Sequence, residues 1–244
     1  TRYVVLNNPN NPAGTVLPDE DLALLAGFCV AHDVIAICDE VWEQVVFGAA
    51  RHGPLIAYPG MRERCVKIGS AGKMFGLTGW KVGFLCAAPP LSQALARAHQ
   101  FLTFTTAPNL QAAVAWGLEN SEAWFRQMPR DLERARDRLS EGLRREGFAV
   151  LPSQGTYFAN IDLAASGVAE PDREFCLRAV KEAGVAAIPV SALYEENPVT
   201  SIVRLCFSKR DETLDAGVER LARARDNSIS NYRPQTSGRP EDRP

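Results

Sequence analysis

Lys73 follows an apolar run at residues 65–69, inside the stretch KIGSAGKMFGLTGWKVGF. A lysine amine condenses with aldehydes to give imines, and burial or a neighbouring cation tunes it for that task. Asp39 ends another apolar run, residues 34–38. A carboxylate so placed can hold a proton on a heteroaromatic ring nitrogen and keep the ring an electron sink. Two unit charges about 4 Å apart at an effective dielectric near 20 interact by about 4 kcal/mol, enough to move a ring nitrogen's pKa by units. Lys73 and Asp39 together therefore describe a pyridoxal site. Ser70, Lys81 and the backbone amides after Gly69 would serve a phosphate on that ring.

The elements that must position these groups can be read from the same runs. Residues 2–6 form a short buried strand, followed by a Pro/Asn/Gly loop over 7–18 that contains Asn11. A helix comes next, capped by Asp19, with Leu22, Leu25, Phe28 and Cys29 on one face. Residues 34–38 form the second strand, so strand, helix and strand make a right-handed parallel unit. Residues 65–69 and 82–87 extend the sheet, the latter after turn signals at Thr78 and Gly79. Asn11, Asp39, Ser70 and Lys73 thus follow successive strands and meet at one carboxyl edge, where open α/β sheets bind ligands.

From Leu91 the pattern turns helical, with a break at Pro108 and a restart at Asn109. A long helix over 121–146 alternates Arg, Asp and Glu, which reads as a solvated face. Beyond Gly147, short strands at 148–151, 156–161, 185–189 and 201–208 alternate with helices near 171–184 and 211–225. The fold class is α/β, with residues 1–120 in a larger unit with a mostly parallel sheet and 121–226 in a smaller α/β domain. Residues 227–244 are polar and proline-rich, and are expected to form a disordered tail.

Four ordered motifs, NNPNNPAG, ICDEVWEQVVF, SAGKMFGLTGWKVGF and VRLCFSK, resemble those of the class I/II aminotransferases of fold type I. The branch most similar is that of the kynurenine and methionine aminotransferases, and the match runs from Thr1 to about Arg225. The resemblance implies the three-layer fold of pyridoxal-phosphate-dependent transferases and a homodimer. Lys73 would be the catalytic Schiff-base lysine and Asp39 the partner of the pyridine nitrogen. Asn11 would bind the cofactor's phenolic oxygen and the substrate, Ser70 and Lys81 the phosphate, and Arg204 the substrate α-carboxylate. Trp42 stands where the family usually carries a tyrosine; its indole donates a hydrogen bond and cannot accept or ionise. Phe101 and Phe104 fall near the rim of the site, and the QGTYF run at 154–158 resembles a segment near the substrate. Family members are longer, the absent part preceding Thr1 and supplying further cofactor contacts.

The implied reaction moves an amino group from an amino acid with an apolar, aromatic or sulfur-containing side chain to a 2-oxo acid. A carbon–sulfur β-lyase is an alternative on the same chemistry. A ligand-sensing domain without catalysis, or an inactive fragment, is another. Two further lysine motifs fail. A phosphate-binding loop would need glycine where Lys67 stands and a hydroxyl residue at Met74, and the S-x-x-K pair of Ser70 and Lys73 has neither S-D-N nor K-T-G elsewhere.

Bulk properties agree with a globular enzyme whose partners are small molecules. The 244 residues carry 27 basic and 29 acidic side chains, a balance without the electrostatic footprint of nucleic-acid binding. No run of about 18 apolar residues predicts a membrane span. Six scattered cysteines without a C-x-x-C pair suit reduced thiols in the cytoplasm, and His32, His52 and His99 are too dispersed in sequence to suggest a metal site.

Overall fold

The computed structural model describes residues 1–231. Three strands, β1 (Tyr3–Asn7), β2 (Ile35–Asp39) and β3 (Cys65–Ser70), run parallel in that order, and β4 (Gly83–Cys86) closes the sheet antiparallel to β3. Asn7 pairs with Asp39 and Asp39 with Ile68, so β1 and β2 end level and β3 runs two residues further at the same edge, to Ser70. Because β4 runs the other way, its first residue, Gly83, lies opposite Ser70 at that same edge. Gly69 lets the Phe84 ring lie close beside it: a Cβ there would stand 2.3 Å from that ring and push it aside.

Helix α1 (Asp19–Ala31) packs Leu22, Ala26 and Cys29 against Val34, Ala36, Cys38, Leu55, Met61 and Cys65. The helix matches the sequence pattern, with two differences. Pro18 rather than Asp19 is the N-cap; Asp19 is the first helical residue and accepts a hydrogen bond from the Tyr58 hydroxyl. Phe28 is half exposed and stacks on His32, because the buried stripe follows Leu22, Ala26 and Cys29. A four-residue helix, α2 (Ala71–Met74), carries Lys73.

Two helices follow, α3 (Pro89–Leu102) and α4 (Pro108–Asn120), and α4 packs Leu110 and Val114 against Ala71 and Val82. Pro108 opens α4 rather than breaking a helix, as suits a residue whose missing N–H falls in the first turn. The long α5 (Glu122–Arg145) buries Met128, Ala135, Leu139 and Leu143 at helical spacing. Part of its charged face pairs with the last helix, through Arg134–Asp211 at 2.9 Å and Arg138–Asp215 at 2.6 Å. Such exposed pairs contribute at most about 1 kcal/mol each.

The second sheet is antiparallel, with β5 (Ala149–Val150), β6 (Phe158–Asp162), β7 (Ile188–Pro189) and β8 (Ile202–Cys206) in the order β5-β6-β8-β7. Helices α6 (Asp172–Arg178), continued by a π turn, and α7 (Asp211–Asn231) pack with α5 around Phe175, Phe207, Leu143, Ile161 and Leu221. Residues 227–231, expected in the tail, are the end of α7. The buried Ser228 hydroxyl donates to Glu170 at 2.8 Å, a tertiary contact that supports the last turns. The rest of the expected tail, 232–244, lies outside the described residues.

The segment after β2 ties the two sheets together. Trp42, Val45 and Phe47 belong to the core of the second sheet, and Val46 forms an isolated antiparallel bridge with Gly155. The amides of Phe47 and Thr156 donate across this junction to Gln154 and Val45 carbonyls at 2.8 and 3.0 Å.

Candidate active site

The loop after β1 is shaped by its own asparagines. Asn7 Oδ1 accepts from the Asn11 amide at 2.7 Å, Asn10 Oδ1 from Ala13 at 3.1 Å and Asn8 Oδ1 from Leu17 at 2.9 Å. These short amide side chains replace ladder partners that a turning backbone loses. Gly14, at φ +72°, lets the loop approach Ser153, and its carbonyl accepts from the amides of Gln154 and Gly155. Asn160 Nδ2 adds a bond to the Pro12 carbonyl at 2.8 Å. The loop that carries Asn11 is therefore fixed to the second sheet.

Arg204, in the middle of β8, reaches Asn11 from across the molecule: its Nη1 donates to Asn11 Oδ1 at 2.5 Å. The guanidinium lies 4.1 Å from the centre of the Phe158 ring. Burial lowers the Arg204 pKa from its ordinary value, and its Nε is buried without a hydrogen-bond partner. An arginine stays protonated even so, and an unpaired buried donor on it suits an incoming anion.

Lys73 is held from several sides. Trp124 Nε1 donates to the Met74 carbonyl at 2.8 Å and fixes the end of α2. The Lys73 amine donates to the Tyr157 hydroxyl at 3.1 Å and lies 4.8 Å from the centre of the Trp42 ring. Trp42 is 2% exposed and meets Tyr157 edge to face, with centroids 4.3 Å apart. Contacts thus link Lys73 and Trp42 through Tyr157 and Phe158 to Arg204 and Asn11. Tyr157 is the residue whose place beside the amine sequence reasoning missed; the QGTYF run was its only signal.

The remaining candidates lie along the same sheet edge. Asp39 ends β2, and its Oδ1 accepts from the Val41 amide at 3.4 Å. Ser70 ends β3 and makes no side-chain cap to α2. Lys81, exposed and in the left-handed region at φ 57°, comes just before β4, whose Gly83 pairs with Ser70. No contact joins Asp39, Ser70 or Lys81 directly to Lys73 among the described residues. Phe101 and Phe104 are 86% and 74% exposed, away from these contacts.

Behind Asp39 lies a buried polar cluster. Glu40, 1% exposed, accepts from the Leu55 amide at 3.1 Å and faces His52 at 3.4 Å. Glu43 pairs with Lys67 at 2.5 Å. Burial pushes the Glu40 carboxyl up to about 7 and, with the Lys67 charge adding to it, His52 down to about 4. Between their ordinary values of 4.5 and 6.5 the folded pair is a neutral acid beside a neutral imidazole, whereas the unfolded pair is carboxylate and imidazolium. The two forms bind equal numbers of protons, so the pair adds no pH slope to stability there. In His52→Asn only the Glu40 effect remains. The folded chain then holds a proton that the unfolded chain releases, and stability falls as pH rises from about 4.5 to 7, by up to about 3 kcal/mol. Urea melts at pH 5 and 7.5 check this; equal pH dependence in variant and parent would contradict it.

Comparison with known proteins identifies the family. The Aminotransferase class I and II family matches residues 1–221. The chain is 40% identical over 231 residues to a probable N-succinyldiaminopimelate aminotransferase of Mycobacterium tuberculosis, covering 91% of this chain and 58% of that protein. It is 38% identical to the methionine aminotransferase of Escherichia coli, covering 91% and 57%, and 37% identical to human kynurenine–oxoglutarate transaminase 1, covering 91% and 57%. The solved structure of the M. tuberculosis N-succinyldiaminopimelate aminotransferase superimposes with a TM-score of 0.88 at 42% identity, over 92% of this chain and 58% of that one. The chain therefore spans a little over half the length of these relatives. With the family matching residues 1–221 and these relatives 37–40% identical over about nine-tenths of the chain, the chain belongs to the class I and II aminotransferases.

Proposed function

We propose that the chain carries the lysine and carboxylate-binding portion of a pyridoxal-5′-phosphate-dependent aminotransferase. The observation that carries this reading is the convergence of Arg204 and Asn11, 193 positions apart in sequence, in the same run of contacts as Lys73. The donor set suits the cofactor. An imine-forming amine, a carboxylate at a strand end, an uncapped serine hydroxyl and a nearby lysine match its aldehyde, ring nitrogen and phosphate. The unpartnered Arg204 Nε matches a substrate carboxylate.

When bound, the cofactor would accept the amino group on its aldehyde carbon and draw electrons from the substrate α-carbon through its protonated ring. Asp39 would keep the ring nitrogen protonated, and Ser70 and Lys81 would hold the phosphate. Asn11 would hydrogen-bond the phenolic oxygen while orienting Arg204, whose fork matches a carboxylate in two parallel bonds. The freed Lys73 amine would carry a proton between the substrate α-carbon and the cofactor carbon, acting as general base and then general acid. Trp42 would wall the pocket beside that amine. The substrates are an amino acid with an apolar, aromatic or sulfur-containing side chain and a 2-oxo acid, and the working form is a homodimer.

The test is to add pyridoxal 5′-phosphate, reduce with borohydride and map the modified peptide. The label is expected on Lys73, with Lys67, Lys81, Lys181 and Lys209 as internal references. Labelling spread among the references would overturn the assignment. A panel containing methionine, phenylalanine, kynurenine and N-succinyldiaminopimelate then tests the side-chain class.

A further inference from the structure

The Lys73 amine has a hydroxyl partner supplied by the other sheet. Tyr157 immediately precedes β6, and its backbone is pinned around the ring: its carbonyl accepts from the Phe207 amide at 3.0 Å. The preceding Thr156 is fully buried, donates its amide to the Val45 carbonyl at 3.0 Å, and accepts from the Phe158 amide through Oγ1 at 3.1 Å. Thr156 also sits at φ 66°, a conformation that a threonine adopts only where its surroundings enforce it. The phenol is thereby delivered to one point, 3.1 Å from Nζ, with its ring edge to face against Trp42.

The chemistry at that point is asymmetric. Trp42 offers the amine an aromatic face and, from its indole nitrogen, only a donor. A phenol can accept from an ammonium and donate to a neutral amine, so it can stay bonded to Nζ in both protonation states. A four-carbon side chain with freely rotating bonds otherwise loses its position whenever it is released from a covalent partner.

We propose that Tyr157 is the positioning residue for the Lys73 amine, holding it against Trp42 through its hydroxyl whether the amine is charged or neutral. The proposal rests on the assignment of Lys73 made above. It also makes the lysine's placement depend on the junction between the two sheets, since the hydroxyl comes from one and the amine from the other.

The first experiment uses the cofactor-free chain with ¹⁵N-labelled lysine and reads proton exchange at the side-chain ammonium groups. Lys73 is expected to exchange about tenfold slower than the exposed Lys81, the scale set by one hydrogen bond to a charged group. Tyr157→Phe is expected to bring Lys73 to the Lys81 rate while the backbone amide spectrum is retained. Should that variant fold poorly, 3,5-difluorotyrosine at position 157, read below about pH 6 where its phenol stays neutral, keeps the ring and weakens the acceptor, and an intermediate rate is expected. Lys73 exchange unaltered by either change overturns the proposal, whatever the cofactor does.

The second experiment follows pyridoxal 5′-phosphate incorporation at Lys73 by borohydride trapping. Tyr157→Phe is expected to reach the parental extent at saturation about tenfold more slowly. A parental rate overturns the positioning role. Absence of label on Lys73 in the parent overturns the functional reading instead, leaving the exchange measurement to decide the role of Tyr157.

Discussion

Lys73→Ala is expected to abolish the visible absorption that the cofactor gains on joining the protein, and to lower amino transfer in an active form of the protein by about 10⁴-fold. Two contributions are lost together. On the proposed reading the variant loses the amine that would fix the cofactor and the group that would move the proton at the substrate α-carbon, a general acid–base role worth roughly 10²–10⁴-fold by itself. The fold should tolerate the change, because the side chain is only partly buried and its polar contact is one hydrogen bond to Tyr157. Stopped-flow spectra of the half-reaction, alongside a thermal melt, separate the two effects. An alanine variant that melts with the parent and still converts amino acids at a comparable rate would remove Lys73 from the mechanism.

Arg204→Ala is expected to raise KM for both amino acid and 2-oxo acid and to reduce kcat/KM by about 10²- to 10³-fold, the range for losing one member of a buried, hydrogen-bonded charge pair. Arg204→Lys should recover only part of this, because an ammonium cannot make two parallel bonds to a carboxylate. The informative control is an amine of the same side chain that lacks the carboxylate. Its slow reaction should be nearly unaffected by the substitution. Equal losses for amine and amino acid would mean that Arg204 supports the fold through Phe158 and Asn11 rather than binding substrate.

Much of this site is legible in sequence because its parts are written as short local patterns at strand ends. The apolar runs before Asn11, Asp39 and Lys73 locate the strands, and the shared carboxyl edge of β1, β2 and β3 follows from parallel pairing. Arg204 is legible only through its motif: nothing local to residues 203–209 says that its guanidinium crosses to a loop near the other end of the chain. Tyr157 is harder still. Its role depends on a turn held by Val45 and Phe207, contacts that no periodicity encodes. The end of α7 departs from the sequence expectation for a similar reason. Residues 227–231 lack the composition for a core, yet Ser228 finds a partner in Glu170, which is far away in sequence. Asp19 fails as a cap because Pro18 already supplies the extended backbone before the helix, leaving the aspartate free to bond Tyr58.

Asp39 and Glu40 are neighbours in sequence, yet they serve opposite sides of the sheet. Side chains alternate at the end of a strand, so one carboxylate stays half exposed at the ligand edge while the next is sealed beside His52 and kept neutral near pH 6. Slipping β2 by a single residue would exchange them, placing Glu40 at the open strand-end edge and burying the Asp39 carboxyl beside His52. The alignment of β2 with its neighbours is thus an electrostatic sorting device: correct strand pairing decides which of two adjacent acids is sealed beside His52 and held protonated near pH 6.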